Sequence, residues 1–119
     1  MNISDEQVRQ IANTLSSLLA KHDVLEVNVM VTNATGETTA VAQQISTAFF
    51  LAQRRSPKMG QVIWVGPLDF GITIRSGEKN WEIASGLEAA LIDCKAVSRE
   101  EIHVVKSQGP DDFLVLIKK

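Results

Sequence analysis

The sequence predicts an α+β protein in which an antiparallel sheet carries helices on one face. The first observation is the segment Leu25–Thr32, where aliphatic residues alternate with polar residues or methionine, the pattern of a strand with one buried face. The second is that three segments repeat apolar residues at helical spacing, with short strand-like runs between them. A chain of 119 residues has the size of one domain, so residues 1–119 are expected to fold as a single unit.

An N-terminal helix is predicted to begin after Ser4, which together with Gln7 has the pattern of a capping box. From Val8 to His22 the apolar residues fall on one stripe at about 100° per residue, which indicates an amphipathic helix. Lys21 and His22 lie in its last turn, where positive charge is favourable. This helix leads almost directly into the Leu25–Thr32 strand.

A second helix is predicted over Glu37–Arg54, and it ends at Ser56-Pro57 because the residue before a proline avoids helical geometry. In an alternative interpretation, Thr38–Ala42 is a strand hairpinned to the first one and the helix starts near Gln43. The longer helix is preferred. On it, Phe50 lies opposite the stripe that faces the core.

The rest of the chain predicts four strands and one more helix. In order, these are strands Gln61–Val65 and Phe70–Arg75, a helix from Asn80 to about Cys94, and strands Ile102–Val105 and Phe113–Ile117. The first two strands are predicted to form a hairpin around Gly66-Pro67. The last strand is apolar at every position, so both of its faces are expected to be covered. Gly86, inside the third helix, indicates either close packing by a neighbour or simple tolerance.

Without the first helix and the last strand, the predicted order is β-α-β-β-α-β, the split-βαβ or ferredoxin-like arrangement. Right-handed crossovers would then place Leu25–Thr32 in the middle of an antiparallel sheet, with helices two and three on one face. The N-terminal helix and the C-terminal strand are additions to this arrangement.

The sheet face turned away from those helices is expected to mix polar and apolar side chains. Such a mixture is typical of a small-molecule site and equally of a subunit interface. A cross-strand pair between Arg75 and Glu26 would account for the polar groups without any ligand. The predicted ligand-binding or interface residues are Glu26, Asn28, Met30, Trp64 (or its neighbour Ile63), Thr73, Arg75 and His103, joined by either Leu114 and Leu116 or the alternate residues of that strand.

Two covers for this face are considered: the N-terminal helix, or a second copy of the chain. The second is preferred, so a homo-oligomer, most simply a dimer, is expected. A further contact surface is predicted from the apolar side chains that lie outside the core stripes, namely Phe50, Trp81 and Ile92.

Composition narrows the function classes. A net charge of −2 argues against nucleic-acid binding, which needs an excess of Lys and Arg on one face. No secretory signal opens the sequence and no apolar run approaches the roughly 20 residues that span a bilayer. Cys94 is the single cysteine, which excludes an internal disulfide and favours a cytoplasmic location. The spacing of histidines, cysteine and glycines fits no metal, dinucleotide or phosphate motif, so neither metal nor cofactor is expected.

Three functional hypotheses remain. The first is a non-enzymatic binding or oligomerisation module that meets a small molecule, another protein or its own copy. The second is an accessory protein, of the inhibitor or immunity type, that docks a partner through Phe50, Trp81 and Ile92. The third is an enzyme that uses the sheet-face cluster with His103 as acid or base; it ranks last because no nucleophile–base pair can be placed and no catalytic residue is assigned.

Overall fold

The computed structural model describes residues 2–22, 25–32, 35–62 and 71–118, and the structural statements below concern these residues. It contains three helices and five strands in the predicted order α-β-α-β-β-α-β-β, together with two short 3₁₀ turns. They are α1 Asp5–Leu19, β1 Asn28–Thr32, α2 Gly36–Gln53, β2 Lys58–Val62, β3 Gly71–Ser76, α3 Trp81–Asp93, β4 Ile102–Lys106 and β5 Phe113–Lys118, with the 3₁₀ turns Glu78–Asn80 and Arg99–Glu101.

The five strands form one mixed sheet in the order β2-β1-β5-β3-β4. β1 runs parallel to β2 and β5, β3 runs parallel to β4, and only the β3–β5 pair is antiparallel. The α+β class is therefore confirmed, whereas the antiparallel, ferredoxin-like sheet is not. The predicted hairpin between the second and third strands is wrong, because β1 and β5 lie between β2 and β3. The second strand also begins earlier than predicted, and residues 63–65 lie outside the described residues.

The sheet consists of two β-α-β units joined by the last strand. In each unit, β1-α2-β2 and β3-α3-β4, the two strands are parallel neighbours, so neither unit is split by an inserted strand. β5 lies between the units and pairs with β1 on one side and β3 on the other. The order of helices and strands along the chain is the same in the split-βαβ arrangement and in the observed one. The prediction was therefore wrong about which strands pair.

The apolar sequence of β5 is explained by its central position. Phe113, Val115 and Ile117 are buried on the side that faces the helices. Leu116, on the other side, is only 6% exposed, and Leu114 is half-buried. Both faces of the strand are thus covered along most of its length, as its composition predicts.

The helices lie together on one side of the sheet. α2 packs on β1 and β5, α3 packs on β3 and β4, and α1 packs on both α2 and α3. The N-terminal helix therefore does not cover the opposite sheet face. Of the two covers considered for that face, the N-terminal helix is the wrong one. A Cβ atom at Gly86 of α3 would overlap the Leu18 side chain of α1, so close packing is the reason for this mid-helix glycine.

Two of the three helices begin in the way that their local sequences predict. Ser4 and Gln7 form the predicted capping box at α1, and α2 begins at Gly36, which confirms the longer helix over its alternative. Asn80 precedes α3 as predicted, but its side chain makes no cap hydrogen bond. Its Nδ2 instead donates to the carbonyl of Asp111, 3.0 Å away, in the loop before β5.

That loop, residues 107–112, is held against the β3–α3 junction by backbone hydrogen bonds. Gly77 N–H donates to Asp112 O at 2.8 Å, and Lys79 N–H donates to Pro110 O at 3.1 Å. The approach is so close that a Cβ atom at Gly77 would overlap the carbonyl oxygens of Gly109 and Pro110. Glycine is therefore required here for space.

We expect Gly77→Ala to lower the free energy of unfolding by at least about 2 kcal/mol, because neither the backbone of the loop nor that of the junction can move without breaking hydrogen bonds. Gly36→Ala is the matched control: a Cβ atom there meets nothing within 4 Å. It should leave stability unchanged or raise it by up to about 1 kcal/mol, since alanine is the better helix former. Urea unfolding of both variants measures the difference, and equal stabilities would contradict the close approach.

Candidate functional site

The sheet face opposite the helices holds a concavity of about 500 Å³, here called the sheet-face concavity. It lies at the amino ends of β1 and β5, which are parallel, and at the carboxyl end of β3, which runs antiparallel to β5. Its described lining residues are Glu26, Asn28, Met30, Val62, Arg75, Ser107, Asp111, Asp112, Phe113 and Leu114.

The strand register explains why these residues meet. Leu114 of β5 lies opposite Asn28 of β1 on one side and opposite Arg75 of β3 on the other. Paired residues in a sheet point to the same face, so the three side chains form a row across three strands. Two strand spacings put the Cα atoms of Arg75 and Asn28 about 10 Å apart, with Leu114 between them.

Glu26 lies next to this row, in the segment just before β1. Hydrogen bonds hold this segment to α2 on one side and to β2 on the other. The Gln53 side chain of α2 accepts a hydrogen bond from Leu25 N at 3.2 Å and donates one to Leu25 O at 2.9 Å. Lys58 N–H then donates to Val27 O at 2.9 Å. The predicted strand over Leu25–Thr32 is thus regular only from Asn28, but its first residues are held in place.

Each carboxylate of the concavity already has a partner. Glu26 lies 3.4 Å from Arg55, and Asp111 lies 3.3 Å from Lys79. Asp112 accepts a hydrogen bond of 2.6 Å from the Ser107 hydroxyl.

Arg75 differs from these three groups. It is exposed, and within the described part of the chain it forms no ion pair or hydrogen bond through its side chain. The cross-strand pair with Glu26 that would explain Arg75 without a ligand is not formed, because Glu26 turns to Arg55 instead. The guanidinium is the one cation among the described lining residues, and Met30 and Leu114 supply apolar surface beside it. This arrangement suits an anion that also carries an apolar group.

The structure brings four of the seven predicted sheet-face residues around the concavity: Glu26, Asn28, Met30 and Arg75. Thr73 and His103 lie opposite each other on β3 and β4, on the same sheet face but outside the described lining. Trp64 lies outside the described residues.

The predicted apolar stripe does not form one surface. Phe50 lies beside Met59 of β2, at one edge of the sheet. Trp81 lies near β4, at the other edge, where the ammonium group of Lys106 is 5.5 Å from the centre of its ring. Ile92 is half-buried and packs against the core. These three side chains therefore do not form one continuous apolar patch.

Sequence reasoning missed the contribution of the loop before β5. Ser107, Asp111 and Asp112 line the concavity, although the Gly109-Pro110-Asp111 sequence indicates only a turn. No local signal shows which strand ends this turn packs against. Of the two alternatives that strand parity left open, the structure places Leu114 and Leu116 on this face, and Leu114 lines the concavity.

The remaining candidate groups do not assemble into a second chemical site. Across the described ranges, no three His, Cys, Asp or Glu side chains are grouped closely enough to hold a metal ion. Cys94 is half-buried at the end of α3, where its Sγ lies 3.6 Å from Leu91 O. His22 lies beyond the end of α1, with Nε2 3.6 Å from Glu82 of α3. None of the described helices is long and apolar enough for a membrane span.

Comparison of the chain with protein-family models, with curated protein sequences and with solved structures finds no match. The class is therefore set by the architecture alone: an α+β protein with a five-stranded mixed sheet and three helices.

We expect Ser107→Ala to destabilise the protein by about 1 kcal/mol, because it removes the hydroxyl that holds the Asp112 carboxylate. Ser17→Ala is the control: that serine donates only to Asn13 O within its own exposed helix. This variant should be neutral or slightly more stable, since alanine favours the helix. Equal losses in urea unfolding would show that the Ser107–Asp112 hydrogen bond contributes nothing specific.

Proposed function

We propose that the chain is a non-enzymatic binding module, and that its sheet-face concavity holds a small molecule with one carboxylate and an apolar body. The observation that carries the proposal is Arg75, whose guanidinium lies beside Met30 and Leu114 and makes no side-chain ion pair or hydrogen bond within the described residues. A few polar groups that converge in an apolar depression are typical of small-molecule sites.

The chemistry of the lining residues selects this ligand class. A guanidinium presents two parallel N–H donors to a planar carboxylate, and the Asn28 amide, two row positions away beyond Leu114, supplies a further donor. Met30 and Leu114 offer apolar contact for the rest of the molecule. Asp111 and Asp112 stand at the rim and repel ligands of high negative charge, which disfavours polyphosphates.

The two alternative functions receive less support. Catalysis would require a reacting pair, and His103 lies outside the described lining of the concavity. Docking of another protein through Phe50, Trp81 and Ile92 would require one continuous surface, and these residues lie at separate edges. A cytoplasmic location is part of the proposal and is supported by the single cysteine.

Isothermal titration with phenylacetate tests the proposal, with phenylacetamide as the uncharged analogue of the same shape. We expect phenylacetate to bind and phenylacetamide to bind at least about tenfold more weakly, because a charge-assisted hydrogen bond is worth roughly 1.5–3 kcal/mol. Arg75→Ala should abolish the preference for the carboxylate. Arg75→Lys should retain only part of it, since an ammonium group lacks the planar fork.

Arg99→Ala is the matched control, because Arg99 is an exposed arginine in the 3₁₀ turn before β4. It should bind phenylacetate like the wild type. Absence of binding at millimolar phenylacetate, or equal affinity in Arg75→Ala and the wild type, would overturn the proposal. Thermal unfolding with and without phenylacetate gives an independent readout, since a ligand that binds the native state raises apparent stability.

A further inference from the structure

Among the described residues, no strand pairs with the outer side of β2, which is an edge of the sheet. Lys58 N–H bonds to Val27 O on the β1 side. Because backbone groups alternate along a strand, the N–H and C=O groups of Met59 and Gln61 point away from β1. Such an edge is a template for an additional strand.

An apolar patch borders this edge on the helix side. Phe50 of α2 and Met59 of β2 are 41% and 48% exposed, and they are two of the four most exposed large apolar side chains among the described residues. With Pro57 they line a second concavity of about 470 Å³. Ser46 lies in its wall, is only 9% exposed, and its hydroxyl lacks a hydrogen-bond partner in the described part of the chain.

The β2 edge is complementary to itself. An antiparallel pair of β2 strands centred on Gly60 places Met59 opposite Gln61 of the second copy. The outward backbone groups of both residues then form two pairs of hydrogen bonds. Lys58 meets Val62 of the second copy, so no like charges face each other.

The side chains of β2 are also compatible with an antiparallel pair centred on Gly60. Gly60 of each copy falls at the narrow, non-hydrogen-bonded position, where Cα atoms approach to about 4.5 Å. On the open face, Met30 already lies over Gly60, since a Cβ atom there would be 2.8 Å from its sulfur. On the helix side, Gln61 of the second copy lies beside Met59, next to the concavity that contains the unpartnered Ser46 hydroxyl.

We propose that two copies of the chain associate through β2 into a continuous ten-stranded sheet, with a twofold axis at Gly60. The axis is perpendicular to the sheet, so the helices of both copies lie on the same side and the Phe50–Met59 patches face each other across it. Met30 and Val62 line the sheet-face concavity and also border this strand pair, whereas Arg75, on β3, lies three strands away from β2. The assembly therefore does not require Arg75 or the ligand proposed above.

Sedimentation velocity at micromolar concentration measures the assembly directly. The wild type is expected at twice the chain mass of 13.0 kDa. Met59→Lys should give a monomer, because two added charges enter the patch. Val105→Lys, the same change at an exposed apolar residue of the other edge strand, should remain a dimer. Gln61→Pro should also give a monomer, because it removes an outward N–H that the fold of one copy does not use.

A disulfide tests the register. Gly60→Cys should cross-link two copies under mild oxidation, since Cα atoms about 4.5 Å apart suit a disulfide. Gln61→Cys should not, because in this register it faces Met59 of the second copy. A wild-type monomer, a dimer that survives both Met59→Lys and Gln61→Pro, or equal cross-linking of the two cysteine variants would each overturn the proposal. Circular dichroism of every variant shows that the chain itself remains folded.

Discussion

The pairing of β5 with β1 on one side and β3 on the other is the constraint on which the rest of the structure depends. Neither β-α-β unit shares a strand pair with the other, so the last strand of the chain joins them into one sheet. Its helix-facing side chains also join the core, and Phe113 meets Phe49 of α2 edge to face, with ring centres 5.9 Å apart. The sheet is continuous only when β5 is in place between the two units.

The direction of the strands at β5 also creates the candidate site. Because β3 runs against β5 and β1, the carboxyl end of β3 meets the amino ends of the other two strands. Arg75 is therefore brought beside Asn28, which lies 47 positions earlier in the chain. The loop that leads into β5 closes the same end, and its carboxylates complete the rim. Residues from four segments of the chain thus line the concavity, and β5 joins the two halves of the sheet that carry them.

The sheet-face concavity and the β2 edge differ in the kind of polar group that each presents. On the sheet face, three carboxylates are held by Arg55, Lys79 and Ser107, and the Arg75 guanidinium has no side-chain partner within the described residues. At the β2 edge, the unpaired groups are backbone amides and carbonyls, flanked by apolar side chains. The first surface therefore suits a small anionic molecule, and the second suits an extended strand. The two surfaces share Met30 and Val62 at their border, but Arg75 lies three strands away from β2.

The sequence by itself determined the order of the elements, the start of α1, the limits of α2 to within one residue, and the fact that Asn28, Met30, Thr73 and Arg75 share one sheet face. These features follow from local periodicity and capping, which neighbouring residues settle among themselves. The prediction was wrong about the end of α1, because Lys21 and His22 lie beyond Leu19 and not in the last turn. Only the tertiary structure decided which strands pair, in which direction, where α1 packs, and that the loop of residues 107–112 joins the site. Strand alternation fixes a face but carries no information about neighbours. Hence neither the mixed sheet nor the pairing of Glu26 with Arg55 in place of Arg75 could be predicted from it.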